Sequence, residues 1–201
     1  GYTHKEGPYK KVVERGIGYL AAKSAQQNGV IYSMRASHGL YVQGLAGIAL
    51  SECYGMTQDN RLAQPTQLAL NHIMAAQDQR GGGWRYRPGQ PGDTSAVGWQ
   101  IMALKSGNMA YLQVNPLTIK KAVEFLNSVQ ADSGATYGYT DNTTPRPPLS
   151  AVGLLCRMYL GWKKDNPALQ DGVARLAKVG PTADLYYDYY ATQIMHHMEG
   201  D

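Results

Sequence analysis

One pattern of about fifty residues recurs along the chain, and it restricts the possible folds more than any other feature. The stretch AAQDQRGGGWRYRPGQPGDTSAVGWQIMAL aligns with the later stretch NSVQADSGATYGYTDNTTPRPPLSAVGLLCRMYL. Three pairs of positions are each 53 residues apart: Gln77 with Gln130, Trp84 with Tyr137, and Tyr86 with Tyr139. Periods of this size are typical of proteins built from stacked structural repeats. We therefore expect one structural unit to be repeated along the chain.

Helix-start signals recur with a similar spacing. Asn60, Asn115 and Asn166 each open a run with apolar residues three or four positions apart, which indicates helix. Asparagine is a good helix cap, and proline, which follows Asn115 and Asn166, is favoured in the first turn. The signals predict eight helices in four hairpins, with first members at about 9–27, 60–77, 116–130 and 167–179, and second members at about 39–54, 94–106, 149–162 and 186–198.

The two members of each hairpin differ in composition. First helices carry charges on one face, as at Lys121 and Glu124, whereas second helices are apolar or small on nearly every side. A helix that is apolar all round is buried between layers. Small residues at Gly44, Gly98 and Gly153 should let neighbouring inner helices approach closely. We expect an all-α fold: an α/α toroid, or an arc of one, forming a single domain over residues 1–201.

The repeated motif is a Gln, a Gly-containing turn and the pattern Trp/Tyr-x-Tyr, followed by a small-residue helix. It resembles the QW-type repeat of the terpenoid cyclase and protein prenyltransferase superfamily. The segments QDQRGGGWRYRPGQPGDTSAVGWQIMAL, YGYTDNTTPRPPLSAVGLLCRMYLGW and DLYYDYYATQIMHH are similar to the prenyltransferase/squalene-oxidase repeat proteins of bacteria. That superfamily contains both enzymes and non-enzymes, so the resemblance implies a fold and leaves activity open.

The resemblance also implies a structural role for four residues: Gln77, Trp84, Gln130 and Tyr137. In the family, the Gln and the aromatic residue tie the end of an outer helix to the turn before the next inner helix. We expect Gln77 to bond backbone groups at the neighbouring helix start, with Trp84 packed over them. We also expect Trp84 and Tyr137 to have matching surroundings, with neither on a strand.

Asp93 is the first candidate for chemistry. Class II terpene cyclases protonate an alkene with an aspartic acid in an Asp-x-Asp-Asp-Thr-Ala stretch. Here Asp93 and Thr94 align with the last Asp-Thr, but Gln90 and Gly92 stand at the other two Asp positions. A solitary carboxylate at a helix start is held ionised by the helix dipole. We therefore expect Asp93 to be an N-cap, with a catalytic role as the alternative.

Metal and thiol chemistry is not predicted. Protein prenyltransferases bind zinc through Asp, Cys and His, and neither Cys53 nor Cys156 lies in the Asp-x-Cys pair of that family. Both cysteines stand in apolar helical context, which favours buried free thiols over a disulfide. His196 and His197 are adjacent and point about 100° apart on a helix, so they cannot simply share one metal. A site shared with a histidine from elsewhere stays open, and no metal or cofactor is expected.

Recognition residues are sought on a loop and on the last helix. The loop YGYTDNTTPRPP contains Asp141 and Arg146 and is the best candidate for recognition at a cavity mouth, while a surface crossover stiffened by proline is the favoured alternative. Asp141 is the second catalytic candidate. The tyrosines at positions 186, 187, 189 and 190 cover most of a helical turn, so some must face the interior. The candidate binding residues are Tyr86, Thr94, Trp99, Tyr139, Arg157, Tyr187 and Tyr190.

Composition argues against two classes of protein, those that bind nucleic acid and those that span a membrane. The net charge of +4 is spread along the chain without a basic stripe, so no nucleic-acid partner is expected. No apolar run approaches the roughly 20 residues that cross a bilayer. The chain has 15 Tyr and 3 Trp but a single Phe, which favours a wet, aromatic-lined cavity.

Two functions follow from these observations. The first is a non-catalytic binding or scaffold domain, whose cavity holds an apolar, isoprenoid-like or polysaccharide ligand or a peptide. The second is an isoprenoid-acting enzyme, a cyclase or prenyltransferase, with a displaced acid. Toroids of this superfamily usually contain more than the four hairpins predicted here. We therefore expect a fragment of a longer toroid, or an arc closed by self-association through its exposed ends.

Overall fold

The structure is a computed structural model that describes residues 2–199; Gly1, Gly200 and Asp201, the ends of the predicted domain, lie outside the described residues. The described residues form eight α-helices, which confirms the all-α class. The helices are Lys10–Gln26 (α1), Gly39–Thr57 (α2), Asn60–Ala75 (α3), Thr94–Met109 (α4), Pro116–Val129 (α5), Pro147–Tyr159 (α6), Pro167–Val179 (α7) and Leu185–Met198 (α8).

Side-chain caps explain most of the helix starts. Oxygens of five residues accept backbone N–H groups in the first turns of α3, α4, α5, α7 and α8: Asp59, Asp93, Asn115, Asn166 and Asp184. Such caps satisfy donors that the helix itself leaves free. The cap predicted at Asn60 is displaced by one position, because Asn60 is the first helical residue of α3 and Asp59 makes the cap.

The even-numbered helices pack on one another in series. Helix α2 lies against α4, α4 against α6, and α6 against α8, while α3 contacts both α2 and α4, and α7 contacts both α6 and α8. Helices α3 and α7 thus cover junctions of the row of even-numbered helices, called here the inner row. This arrangement agrees with the composition of the two helix types, because α4 and α6 bury residues on nearly every side.

Two of the three predicted glycines are helix contacts. A methyl group on Gly44 would lie 2.8 Å from Cβ of Trp99 on α4, and one on Gly98 would lie 2.5 Å from Cγ1 of Val152 on α6. Gly153 has a different role, since a methyl group there would overlap the ring of Tyr137. The expectation of a helix contact at Gly153 is therefore wrong. Its small size makes room for an aromatic ring from the preceding turn.

The two repeated turns make the same backbone bonds. In each turn, the carbonyl of the central aromatic residue accepts the N–H of the residue before the next even helix. The carbonyl two residues later accepts an N–H from the start of the preceding even helix. The four bonds are Asp93 N to Trp84 O at 2.9 Å, Arg146 N to Tyr137 O at 3.3 Å, Leu40 N to Tyr86 O at 3.1 Å and Thr94 N to Tyr139 O at 2.9 Å.

The second turn also contains a short β-ladder. Gln130–Ala131 (β1) pairs antiparallel with Thr136–Tyr137 (β2), so the expectation that Tyr137 lies off any strand is wrong. Asp132 and Ser133 adopt φ angles of 47° and 57°, which reverse the chain tightly. That reversal places the flanking residues side by side.

The remaining global features concern the membrane and the thiols. Within residues 2–199, no helix combines the length and the apolar character that a bilayer span requires. Cys53 and Cys156 are both free and buried, as the sequence predicts.

Candidate functional site

One candidate site is a cavity between α8 and the C-terminal halves of α2, α4 and α6. Its volume is about 990 Å³, at the upper end of the roughly 300 to 1,000 Å³ typical of small-molecule pockets. Its apolar lining consists of methionines and aromatic residues: Met56, Met102, Met109, Met158, Tyr159, Trp162 and Tyr189. Methionine is flexible and polarizable, so such a wall adapts to ligands of irregular shape.

The charged side chains of this cavity are mostly basic. Lys105, Lys163 and Lys164 line it together with Glu52. Lys164 also reaches Glu199, with Nζ 2.6 Å from a carboxylate oxygen. The lining therefore combines an apolar wall with a positive charge balance.

Aromatic rings continue from the cavity toward the start of α4. The Trp99 ring lies 5.6 Å from the Tyr189 ring, which lines the cavity, and 5.3 Å from the Tyr190 ring. It also lies 6.4 Å from the Tyr186 ring, and Tyr186 donates its hydroxyl to Ser95 at 2.9 Å. Ser95 and Trp99 are one turn apart on α4 and share a face. A continuous aromatic surface thus connects the cavity with the N-terminus of α4.

Asp93 lies at that N-terminus with no exposed surface. Its Oδ1 accepts the backbone N–H of Ala96 at 2.8 Å, so the predicted N-cap is confirmed. Its Oδ2 lies 3.6 Å from Nε of Arg85, and neither atom has a hydrogen-bond partner among residues 2–199. Burial raises the pKa of Asp93, while the bond from Ala96 and the Arg85 charge oppose that shift.

Two tyrosines join the repeated turns beside Asp93. The hydroxyls of Tyr86 and Tyr139 lie 2.8 Å apart, and the Arg85 guanidinium carbon stands 5.2 and 5.6 Å from their ring centres. Thr94 donates its hydroxyl to the carbonyl of Gly138 at 2.6 Å. The candidate binding residues Tyr86, Thr94 and Tyr139 therefore lie together, in bonds that connect one turn to the next.

The structure places three other candidates away from the cavity lining. Arg157 is buried and bonds the Tyr137 hydroxyl at 3.0 Å, and Tyr187 donates its hydroxyl to the Leu176 carbonyl at 3.1 Å. Asp141 is exposed, and bonds from Thr143 lower its pKa, so it is ionised and not an acid at neutral pH. A catalytic role for Asp141 has no support from this geometry.

The proline-rich loop is placed differently from expectation. Pro145, Arg146 and Pro147 border a cleft of about 110 Å³ whose other side comes from α7. The loop thus lies at the outer row and not at the mouth of the large cavity. Residues 139–144 form a series of bends, and the loop then leads into α6, which packs against α7.

None of the candidate binding or catalytic residues lines the cavity, and of the tyrosine cluster only Tyr189 does. Met56 and Met109, which line it, are exposed at the ends of two inner helices. Met56 and Met109 are 53 positions apart, which equals the repeat period, and this spacing was the signal in the sequence.

Metal chemistry has no visible site in the described part of the chain. Within residues 2–199, no group of three or more His, Cys, Asp and Glu side chains is placed to hold an ion. His196 and His197 have ring centres 5.9 Å apart.

Comparison with protein-family models, curated proteins and solved structures gives no match for this chain.

Proposed function

We propose that the chain is a non-catalytic binding domain of the α/α-toroid type, similar to the terpenoid cyclase and prenyltransferase repeats. The repeated backbone bonds and the two rows of helices support a curved repeat architecture. The cavity of about 990 Å³, walled by methionines and aromatic rings, carries the functional part of the proposal. Its ligand is an elongated apolar molecule, isoprenoid-like in shape.

The lining explains this choice of ligand. The aromatic surface continues past Trp99, so a long molecule can extend from the cavity along α4 and keep apolar contact. Burial of apolar area contributes roughly 25 cal/mol per Å², which favours a ligand with a long hydrocarbon part. A polysaccharide also stacks on aromatic rings, but the methionine wall offers it few hydrogen bonds.

A matched pair of variants tests the cavity. Met56 lines the cavity and is 58% exposed, whereas Met34 is 80% exposed and lies outside the lining. Both can be changed to arginine without burying the new charge. Farnesol binding, followed by native mass spectrometry and tryptophan fluorescence, should weaken at least tenfold in Met56→Arg and stay unchanged in Met34→Arg. Equal binding by both variants would remove the cavity as the site.

A second candidate is an isoprenoid-acting enzyme that uses Asp93. The raised pKa of this buried carboxyl and its unbonded Oδ2 favour an acid. The cap on Ala96 and the position of Asp93 at the far end of α4 from the cavity count against it. Squalene and prenyl diphosphates are the substrates to assay. Turnover that Asp93→Asn abolishes without loss of binding would establish the enzyme and replace the first proposal.

Self-association stays a prediction. Val12 and Tyr19 stand two turns apart on α1 and are 60% and 64% exposed. They form the apolar surface that a second copy would cover in an arc closed by self-association. Light scattering at increasing protein concentration measures this association.

A further inference from the structure

The N-terminal segment places a histidine between a thiol and a carboxylate. Nδ1 of His4 lies 2.9 Å from Sγ of Cys53, and its Nε2 lies 2.8 Å from Oδ2 of Asp59. All three side chains are more than nine-tenths buried. Nucleophile, base and orienting carboxylate stand in this order in the catalytic groups of thiol and serine enzymes.

The hydrogen bonds of Asp59 determine which ring nitrogen of a neutral His4 carries the proton. Arg61 donates to both carboxylate oxygens, and these bonds, together with the one from His4, hold the pKa of Asp59 below its usual range. An ionised carboxylate only accepts hydrogen bonds, so Nε2 of His4 carries the proton. In the neutral imidazole, the lone pair of Nδ1 then faces the Cys53 thiol, as a general base must.

Three separate parts of the chain build this group, called here the Cys53 triad (His4, Cys53 and Asp59). Asp59 is fixed as the N-cap of α3 through the N–H of Arg61, and Cys53 lies in the last turns of α2. His4 is held by its neighbour Lys5, whose Nζ donates to the Thr57 carbonyl at 3.1 Å. The triad is independent of the large cavity, because none of its members lines that cavity.

The second cysteine provides an internal contrast. Cys156 lies in the main core, and burial raises the pKa of its thiol to about 12. Burial also raises the pKa of Cys53, so its resting form at neutral pH is the thiol. Only Cys53 has an imidazole positioned to remove its proton during attack.

We propose that Cys53 is a reactive thiol that forms mixed disulfides with small disulfides, with His4 as base and Asp59 as its positioning residue. Sγ attacks one sulfur of the reagent while its proton passes to Nδ1 of His4. The sulfur–sulfur bond of the reagent breaks, and the departing thiolate takes the proton from His4. One thiol and one disulfide are consumed, and one mixed disulfide and one thiol are formed.

The proposal is tested with the full chain and 2,2′-dithiodipyridine, whose release of thione gives the rate; peptide mass spectrometry assigns the cysteine. The wild type should react at Cys53 at least about tenfold faster than at Cys156. His4→Asn should slow Cys53 about tenfold or more. Asp59→Asn should slow the reaction of Cys53 severalfold. This variant disturbs the fold less than His4→Asn, since asparagine keeps the α3 cap.

A purely structural role for His4 predicts the opposite change in the reaction rate of Cys53. If His4 only covers the thiol, both substitutions loosen the cover and Cys53 reacts as fast as the wild type or faster. That result, with circular dichroism showing both variants folded, overturns the proposal. If His4→Asn unfolds, the folded Asp59→Asn variant decides alone. Equal wild-type rates at Cys53 and Cys156 also overturn it.

Discussion

The first repeated turn, residues 77–93, and the second, residues 130–146, make the same backbone bonds with different side chains. In the first, Gln77 donates to the carbonyls of Gly82 at 2.8 Å and Thr118 at 2.9 Å. In the second, Gln130 instead accepts from the buried guanidinium of Arg157 at 2.8 Å. The two turns thus share the same backbone path, but different side chains satisfy the buried polar groups of each turn.

The two aromatic residues show the same difference. Trp84 and Tyr137 are both fully buried. Trp84 donates its Nε1–H to the Ile73 carbonyl at 2.7 Å, whereas Tyr137 lies over Gly153 and accepts from Nε of Arg157 at 3.0 Å. The expectation of matching surroundings therefore holds for burial and fails for the bonds. Gln77 and Trp84 in the first turn thus have neutral partners, whereas Gln130 and Tyr137 in the second share one cation.

The largest expected effect is at Trp84. Trp84→Ala removes the largest side chain of the first turn from a site with no exposure, and truncation of a buried aromatic residue costs about 3–5 kcal/mol. Urea unfolding measures the loss. Trp84→Phe is the control, because it keeps most of the ring and loses the bond to Ile73. A loss below about 1 kcal/mol for Trp84→Ala would show that the first turn is not a structural brace.

Arg157 should come next. Arg157→Met leaves acceptors on Asn127, Gln130 and Tyr137 without their donor, at an expected cost of about 2–3 kcal/mol in the free energy of unfolding. Arg157→Lys should not restore stability, since an ammonium cannot reproduce the spread of the guanidinium. A double-mutant cycle with Tyr137→Phe should show coupling. Additive losses would mean that Arg157 is not the centre of the second turn.

Gln77 should have a smaller effect than Arg157. Gln77→Leu removes the donor to two carbonyls but leaves no buried charge, so we expect a loss of about 1–2 kcal/mol. Gln79→Leu, on an outer part of the same turn, is the matched control and should change little. If Gln77→Leu costs more than Arg157→Met in urea unfolding, the ranking of neutral and cationic braces is reversed.

The helices were predictable because their signals are local. Caps such as Asn115 and Asn166, and apolar spacing within each helix, depend on residues a few positions apart. The hairpin at Asp132 and Ser133 was not, since non-glycine residues seldom adopt positive φ.

The candidate sites depend on contacts across the chain. Asp93 was predicted as a cap from its own neighbours, but its burial beside Arg85 and two tyrosines follows from how adjacent repeats pack. The bond between His4 and Cys53 joins residues 49 positions apart. Sequence reasoning described Cys53 only as a buried free thiol and named neither His4 nor Asp59, because packing decides which residues meet.

The smallest expected effect is at the helix starts that end the two turns. Asp93 caps α4, whereas Arg146 makes no side-chain cap before α6. Pro147 and Pro148 explain the difference, because proline has no N–H to be capped. Asp93→Asn keeps a capping oxygen, so its effect on stability at neutral pH should be less than about 1 kcal/mol.

The pH dependence of the stability of Asp93→Asn is a more sensitive test than its stability at neutral pH. Burial raises the pKa of Asp93 in the folded state above its unfolded value. The folded protein therefore binds this proton more tightly, and the resulting stabilisation is full below the unfolded value and is lost as pH rises through the folded one. Asp93→Asn removes that loss, so its stability relative to the wild type should increase between acid and neutral pH in urea unfolding. Arg146→Asn, which changes no carboxyl, should show no such increase. A relative stability of Asp93→Asn that falls as pH rises would mean that the Arg85 charge outweighs burial at Asp93.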